Sequence, residues 1–407
     1  MRVVFVNLHS NEMLVKNLSK IIFKQSIGVK QGYLLQWLID NPNIEVCNLI
    51  TKDGFSMGSS YGIIGRLLNI LRFWENRYIL KKNNIERTKI TVLKSPADLK
   101  EEDIVLLNRA PFNTDVTPVL PGFKAISMIH FGGNEHLVSE FARKIGVDVI
   151  FNEFNLEKFC KLFQKSYGWY KKPTFVTSFV FQDRFKPIVP FSQRENKAFA
   201  TGTITYRESP DFLEVYKNSC VQPSRKQIKE HSEDLKDYIT CTCSDYSEGV
   251  TLNKLPANAN FLQRVWYTYK YKSTASQQKS YYSFDMVEMF NKYKMCIIGE
   301  EVLPSPGIGF VEGMACGCAY IGLNNGLYEE YGMQEGVHYI GYNGSLTDLK
   351  YKIAYYQAPE HQAELEAIAK TGCEFIRANF NGPAVAEKLI TGLVKLRDEK
   401  LNEKNAK

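Results

Sequence analysis

The segment 304–322, PSPGIGFVEGMACGCAYIG, joins a glycine turn, a helix of small residues with one carboxylate, and a buried strand. In the turn Gly307, Ile308, Gly309, the two glycines let the backbone approach an anion because glycine lacks a Cβ atom, and the following helix directs free N–H groups at a phosphate. Glu312 falls in the first turn of that helix. The helix dipole also favours a carboxylate there, so a purely structural role is the alternative. The small residues let helix, strand and ligand pack closely, which favours a nucleotide site.

Together with NNGLYEE at 324–330, this segment resembles the nucleotide-sugar glycosyltransferases of GT-B fold, whose second domain carries a similar Glu-(Ala/Gly)-Met-Ala-x-Gly helix. The resemblance implies an α/β protein with two Rossmann-like domains of doubly wound parallel sheet that face a cleft. It also implies a C-terminal helix that crosses back to the first domain. In this family the helix glutamate holds the ribose, which assigns Glu312 to the ribose and the glycine turn to the diphosphate or the donor sugar.

One position departs from the pattern of the retaining members, the group 1 type superfamily. Many of them carry another glutamate eight residues before the ribose glutamate, and here that position is Pro304. Glu300 and Glu301 are the nearest acidic residues upstream, and we predict that one of them takes the catalytic role. The run KYKMCIIGEE at 292–301 also resembles some inverting members, in which a glutamate follows a Tyr-Lys-Phe-type strand. A retaining or an inverting outcome therefore stays open.

His130 follows the apolar strand 125–129 and precedes Gly132 and Gly133, at the carboxyl end of a predicted parallel strand. Open α/β sheets bind ligands at this end. Similar enzymes often place a histidine here, facing the donor sugar across the cleft. A hydrogen bond to a sugar hydroxyl, a general base for the acceptor and a structural role are the three alternatives.

Sugar transfer also requires cations, because negative charge grows on the nucleotide phosphate as it leaves through an oxocarbenium-like state. We predict that the turn at Gly202 and Thr203, followed by Arg207, binds the diphosphate. Arg225 and Lys254 are weaker candidates, with an ordinary surface cation as the alternative. No convincing Asp-x-Asp motif supports a metal site, and no Gly-x-Gly-x-x-Gly follows the first strand as a nicotinamide site would require. No metal and no cofactor are expected.

These residues need a scaffold, and 407 residues suit two domains. We predict an N-terminal Rossmann-like acceptor domain at 1–180, a nucleotide-sugar domain at 181–380, and a crossing helix with a charged tail at 381–407. In the first domain, periodicity predicts a helix at 32–40 and strands at 2–7, 44–50, 90–93, 104–108, 125–129 and 147–151. In the rest of the chain it predicts a strand from 198 that ends in a glycine turn within the segment 198–207, a strand at 295–299, and helices at 210–218, 224–239, 282–293, 361–377 and 383–400.

Composition places the chain among soluble globular proteins, at 44% hydrophobic and 23% charged residues. The net charge of +7 is too diffuse for nucleic-acid binding. No apolar run spans a bilayer and no signal peptide is evident, so a cytoplasmic protein is expected. The nine scattered cysteines lack zinc-site spacing and are expected to be reduced thiols. A basic amphipathic segment at 61–82 fits an anionic membrane surface, with a core-facing helix as the alternative.

The sequence thus predicts a glycosyltransferase that moves a sugar from a nucleotide-sugar donor to a glycan or lipid-linked acceptor in surface polysaccharide synthesis. It would lie in the cytoplasm or on the inner face of the membrane. A nucleotide-sugar epimerase or hydrolase on the same fold is one alternative. A nucleotide-binding scaffold without catalytic activity, suggested by Pro304, is another.

Overall fold

The computed structural model shows two compact units, one formed by Met1–Ser178 and Gly382–Lys407 and the other by Phe179–Asn381. The residues that it describes are 1–6, 32–49, 77, 78, 80, 81, 85–93, 95–108, 120–127, 135–172, 174–245, 260, 263, 266, 284–303 and 305–406. Among these residues, no helix combines the length and the apolar character that crossing a bilayer requires.

Unit 1 contains a parallel sheet in the order β3-β2-β1-β4-β5-β6-β7. Its strands are β1 Arg2–Val6, β2 Glu45–Leu49, β3 Ile90–Leu93, β4 Ile104–Asn108, β5 Phe123–Ser127, β6 Val149–Asn152 and β7 Thr174–Val176. Its helices are α1 Gly32–Asp40, α2 Glu135–Lys144, α3 Leu156–Phe159, α4 Lys161–Ser166 and, at the end of the chain, α11 Gly382–Asn405. The first strand lies inside the sheet with later strands added on both sides, which is the doubly wound arrangement expected from the sequence.

Helix α11 packs on α1 over the apolar side of this sheet. Leu389, Ile390 and Leu393 join the same buried cluster as Leu34 and Leu38 of α1. The C-terminal helix therefore belongs to unit 1, which confirms the expected return of the chain from the second domain to the first.

A buried carboxylate ties this helix to the sheet. The Asp148 carboxylate accepts hydrogen bonds from the Lys124 backbone N–H at 2.8 Å and from Lys400 of α11 at 2.9 Å. The ammonium group of Lys172 lies 3.3 Å from the same carboxylate. Burial opposes ionisation of Asp148, but these hydrogen bonds and cations outweigh it and lower its pKa.

Unit 2 contains a parallel sheet in the order β10-β8-β12-β13-β14 and a short parallel pair, β9 with β11. Its strands are β8 Glu195–Ala200, β9 Thr203–Ile204, β10 Ile239–Cys241, β11 Ser244–Asp245, β12 Tyr293–Ile297, β13 Ala319–Leu323 and β14 Ile340–Tyr342. Its helices are α5 Pro210–Tyr216, α6 Pro223–Glu230, α7 Met286–Lys292, α8 Gly309–Ala315, α9 Leu346–Gln357 and α10 Gln362–Asn379.

The strand expected to run from Ala198 into a glycine turn is β8, which ends at Ala200, and Gly202 follows it with φ +136° before β9 begins. One predicted element of this unit was wrong in detail. The expected helix at 224–239 ends at Glu230, because Ile239 pairs with Ala198 as the first residue of β10. Sheet pairing thus overrides the local helical preference at the end of that segment.

Candidate functional site

The chain order of unit 2 fixes where a ligand crevice forms. From β8 the chain first reaches β10 on one side and then β12 on the other, so the strand order reverses between β8 and β12. Doubly wound sheets bind ligands at the carboxyl ends of the strands beside such a reversal. The residues at this point are 201 and 202, which follow β8, Thr203, which begins β9, and 298–301, which follow β12. Four residues of the predicted site, Gly202, Thr203, Glu300 and Glu301, lie here.

A buried cation joins the two loops. Arg225, in the first turn of α6, donates hydrogen bonds from Nε to the Ile298 carbonyl (2.5 Å), from Nη1 to Thr203 O (2.8 Å) and from Nη2 to Gly299 O (3.1 Å). The residue is 7% exposed. Within the described part of the chain, no carboxylate forms an ion pair with it. Its charge is therefore balanced by carbonyl dipoles, which leaves the crevice attractive to an anion.

Three glycines make room for this guanidinium. A Cβ atom on Gly202 would lie 2.7 Å from Arg225 Nε, and one on Gly307 would lie 2.7 Å from Nη2. At Gly299, whose φ is +66°, it would lie 3.0 Å from the Arg225 Cγ atom. Gly202 and Gly307, two of the glycines predicted to approach a phosphate, thus lie against the cation of the crevice. Direct contact between them and an anion stays a prediction.

Glu312 lies on α8, in the helix turn where the sequence predicted it. This helix packs closely on β12, since a Cβ atom on Gly313 would lie 2.6 Å from Cys296 Sγ and one on Gly309 would lie 2.9 Å from Ile298 Cδ1. Burial raises the pKa of Glu312 to about 7, and the charge of Arg184 opposes this rise only in part. No described residue donates a hydrogen bond to the carboxylate. A half-buried carboxylate with both oxygens available is suited to accept hydroxyl donors.

Helix α8 is held at its other end by a polar network that the sequence did not indicate. Arg194, 6% exposed, donates to the carbonyl of Cys316 at 2.9 Å, where the helix ends and a cation is favoured. It also donates to the Asn291 side chain at 3.2 Å. Asn291 is fully buried and accepts from the backbone N–H of Ile188 at 2.7 Å. These contacts fix the position of Glu312, and no local motif marks them.

The two predicted catalytic glutamates have different surroundings. Glu300 is 2% exposed, and its Oε1 atom accepts hydrogen bonds from the Leu323 N–H at 2.9 Å and the Tyr328 hydroxyl at 2.5 Å. Its Oε2 atom is buried and has no hydrogen-bond partner among the described residues. Glu300 therefore anchors the loop after β12 to the end of β13. The half-buried Glu301 accepts from Gln222 at 2.9 Å and is the more accessible of the two.

The remaining predicted residues are distributed as follows. The guanidinium of Arg207 lies 5.9 Å from the centre of the Phe212 ring, and its backbone N–H donates to Ser219. Ile308 precedes α8 and its carbonyl accepts from the Val311 N–H. His130, Lys254 and Pro304 lie outside the described residues, as does the segment 61–82 apart from residues 77, 78, 80 and 81. Their roles stay predictions.

Comparison with known proteins gives structural matches. No protein-family model and no curated protein sequence matches the chain. A glycosyltransferase from Rickettsia africae superposes with a TM-score of 0.50 at 14% identity, over 97% of this chain and 98% of that one. HepE from Anabaena, in complex with UDP-glucose, gives 0.47 at 13% identity, over 97% and 100% of the two chains. Sucrose-phosphate synthase from Thermosynechococcus elongatus gives 0.46 at 10% identity, over 97% and 99%.

The Rickettsia match and the two parallel sheets decide the fold class. The chain has the GT-B fold. This confirms the fold expected from the resemblance of the α8 segment. At these identities the likeness establishes the fold, and the activity must be argued from the site.

Proposed function

We propose that this GT-B protein is a glycosyltransferase that moves a sugar from a nucleotide-sugar to a glycan or lipid-linked acceptor. The observation that supports it best is the Arg225 cation, buried without a carboxylate partner among the described residues, at the strand reversal of unit 2. A nucleotide diphosphate supplies the negative charge that such a crevice attracts. We further propose that unit 1 binds the acceptor, and that the protein works in the cytoplasm beside the membrane in polysaccharide synthesis.

Each residue then has a chemical task. Arg225 stabilises the charge that develops on the leaving diphosphate, in a position fixed before the reaction by three carbonyl groups. Glu312 accepts hydrogen bonds from the ribose hydroxyls. Glu301, oriented by Gln222, is the acidic residue best placed to act on the sugar, since the Glu300 carboxylate already accepts a hydrogen bond from the Leu323 N–H at the end of β13. These cationic and dipolar groups would stabilise the leaving group without a metal ion.

The test is calorimetric titration with UDP, GDP, CMP and TDP and their sugars, followed by turnover with mixed acceptors. We expect one nucleotide to bind, and Arg225→Lys to weaken it at least tenfold, because lysine cannot reproduce the three directed hydrogen bonds. Arg143→Lys, the same exchange at an exposed arginine on α2, is the matched control. A folded protein that binds none of the four nucleotides would refute the proposal.

The turnover assay separates transfer from the two other functions that this fold permits. Product formed from the nucleotide-sugar without any acceptor would identify a hydrolase or an epimerase. Nucleotide binding with no turnover on any acceptor would identify a non-catalytic scaffold. Transfer requires that product appears only when an acceptor is added.

A further inference from the structure

A cavity in unit 1 lies between the amino ends of β4 and β5 and helix α11. Its volume is about 200 Å³, and it is lined by Glu101, Phe123, Arg397, Lys400, Leu401 and Lys404. Glu101 precedes β4, Phe123 begins β5, and the other four residues lie on α11. This space is larger than the roughly 150 Å³ that accommodates a benzene ring. Doubly wound sheets bind substrates at the opposite, carboxyl ends of their strands, so the cavity is a separate feature of the fold.

The wall of the cavity combines apolar surface with a row of cations. Arg397, Lys400 and Lys404 recur at intervals of three and four residues and therefore lie along one side of α11. Phe123, which is 3% exposed, and Leu401 supply the apolar surface. The ammonium group of Lys400 lies 6.0 Å from the centre of the Phe123 ring. Such a wall suits a ligand with a negatively charged group on a carbon skeleton.

Arg397 keeps two N–H groups available for a ligand. Its Nε and Nη2 atoms contact the Asp398 carboxylate at 2.8 and 2.7 Å, and its Nη1 atom donates to the Glu102 carbonyl at 3.2 Å. A guanidinium carries five N–H groups. One N–H on Nη1 and one on Nη2 therefore have no acceptor among the described residues. Paired N–H groups of arginine match two oxygens of a phosphate.

Lys400 belongs to a cluster with surplus positive charge. Three ammonium groups surround the Asp148 carboxylate, at 2.9 Å from Lys400, 3.3 Å from Lys172 and 3.7 Å from Lys124. Within the described part of the chain, Asp148 is the one carboxylate that pairs with these lysines, which leaves two positive charges unbalanced. The side chains of Asp148 and Lys124 are 6% and 10% exposed, so water screens the surplus weakly. An anion in the cavity beside Lys400 would offset this charge.

The outer wall holds an ion pair that a ligand can replace. Lys404 donates to Glu101 at 3.2 Å, and their side chains are 65% and 63% exposed. Exposed pairs of this kind contribute little to stability, so Lys404 can exchange its partner at small cost. Glu101 then lies at the mouth of the cavity as a like charge beside the bound anion. Its carboxylate should therefore weaken the binding of an anion.

We propose that this cavity binds the phosphate group of a phosphate monoester. Arg397, Lys400 and Lys404 bind the phosphate oxygens, and Phe123 and Leu401 contact the carbon skeleton. A phosphate monoester is favoured over a carboxylate because it brings a charge of about −1.5 to −2 and three terminal oxygens to the three cations. A small free ester and the headgroup of a membrane lipid both present this group. The site lies within unit 1 and is independent of nucleotide binding at the Arg225 crevice.

The binding test is calorimetric titration of the full chain with glycerol phosphate at low ionic strength, where surface charges are screened least. We expect Arg397→Gln to weaken binding about tenfold and Lys404→Gln about threefold. Glu101→Gln should tighten binding about threefold, because a like charge leaves the mouth. A merely structural role of these residues would not give effects of opposite sign. Lys395→Gln, at an exposed position of α11 outside the cavity, is the matched control and should keep the wild-type affinity.

A second titration separates the cavity from the Arg225 crevice, which also attracts anions. In Arg225→Lys the cavity should bind glycerol phosphate as in the wild type, and the effects of Lys404→Gln and Glu101→Gln should persist. If these effects disappear in the Arg225→Lys background, the phosphate binds in the crevice and the proposal is wrong.

Cosedimentation with vesicles identifies the source of the phosphate. The vesicles consist of phosphatidylcholine with or without phosphatidic acid, which presents the same phosphate monoester. Binding that requires phosphatidic acid, and that falls in Arg397→Gln and not in Lys395→Gln, supports the site and identifies a lipid headgroup. Binding of glycerol phosphate without vesicle binding supports the site and identifies a small ester. The proposal is wrong if neither probe binds, or if Lys404→Gln and Glu101→Gln, which change exposed side chains, bind both probes as the wild type does.

Discussion

Replacing Glu312 by glutamine is expected to stabilise the protein at alkaline pH while it weakens nucleotide binding. Burial raises the pKa of Glu312 from its ordinary value of 4.5 to about 7, and so the folded state disfavours the charged form. A pKa rise of that size corresponds to a destabilisation of the folded state by roughly 3 kcal/mol when Glu312 is ionised. Partial solvent access reduces this destabilisation to about 1 to 3 kcal/mol.

The sign of the pH dependence of stability follows from proton binding at Glu312. Between pH 4.5 and about 7 the folded protein binds more protons at Glu312 than the unfolded chain does, so stability falls as pH rises through this window. Below pH 4.5 the carboxyl is neutral in both states. The Glu312→Gln variant, which stays neutral throughout, should therefore match the wild type near pH 4.5 and exceed it most at pH 8.

The assay is thermal unfolding at pH 4.5, 6 and 8, together with UDP titration at pH 8. We expect the midpoint of Glu312→Gln to exceed that of the wild type by about 2 to 10 °C at pH 8. UDP affinity should fall by about tenfold or more, because a charge-assisted hydrogen bond is lost. Glu366→Gln, an exposed position on α10, is the matched control and should change neither quantity. A Glu312→Gln variant that is less stable than the wild type at pH 8, or whose stability difference is the same at all three pH values, would refute the reasoning.

Three further changes follow from the packing. Gly307→Ala should cost about 1 to 3 kcal/mol of stability in denaturant unfolding and weaken UDP binding, because its Cβ atom would press on the buried guanidinium. Gly168→Ala, in a roomier turn, is the control and should cost less than about 1 kcal/mol in the same assay. Asp148→Asn should destabilise unit 1 at pH 7, and the difference should shrink as pH falls through the lowered pKa of this carboxyl, as acid titration of unfolding would show. Tyr328→Phe should cost about 1 to 3 kcal/mol, because it removes the 2.5 Å hydrogen bond to the buried Glu300, and equal unfolding midpoints would contradict this.

The elements that were predicted well are those with a clear apolar period. The helix Gly32–Asp40 and the strands Ile90–Leu93 and Ile104–Asn108 have the bounds that the sequence indicated. Strand Ile340–Tyr342 and helix Leu346–Gln357 were not predicted. The strand has three residues, too few to show a period, and its pairing with β13 decides its structure.

The candidate site shows the same limit for single residues. Glu312 was located from sequence because its neighbours on α8 are small, which is visible locally. Arg225 ranked below Arg207 because its surroundings cannot be inferred from nearby residues. The carbonyls that hold it belong to residues 22, 73 and 74 positions away, and the sheet brings them together. The hydrogen bond from Tyr328 to Glu300, 28 positions away, could not be predicted from the sequence for the same reason.

The seating of Arg225 between Gly202, Gly299 and Gly307 has a consequence for how this site can change over time. A side chain at any of the three positions would press on the side chain of Arg225, so the four positions should behave as one mutational unit with strongly non-additive effects. Once one member is lost, the cost of changing the others falls. Single substitutions at these four positions should therefore be selected against during evolution. A new ligand preference would require that the whole group be replaced together.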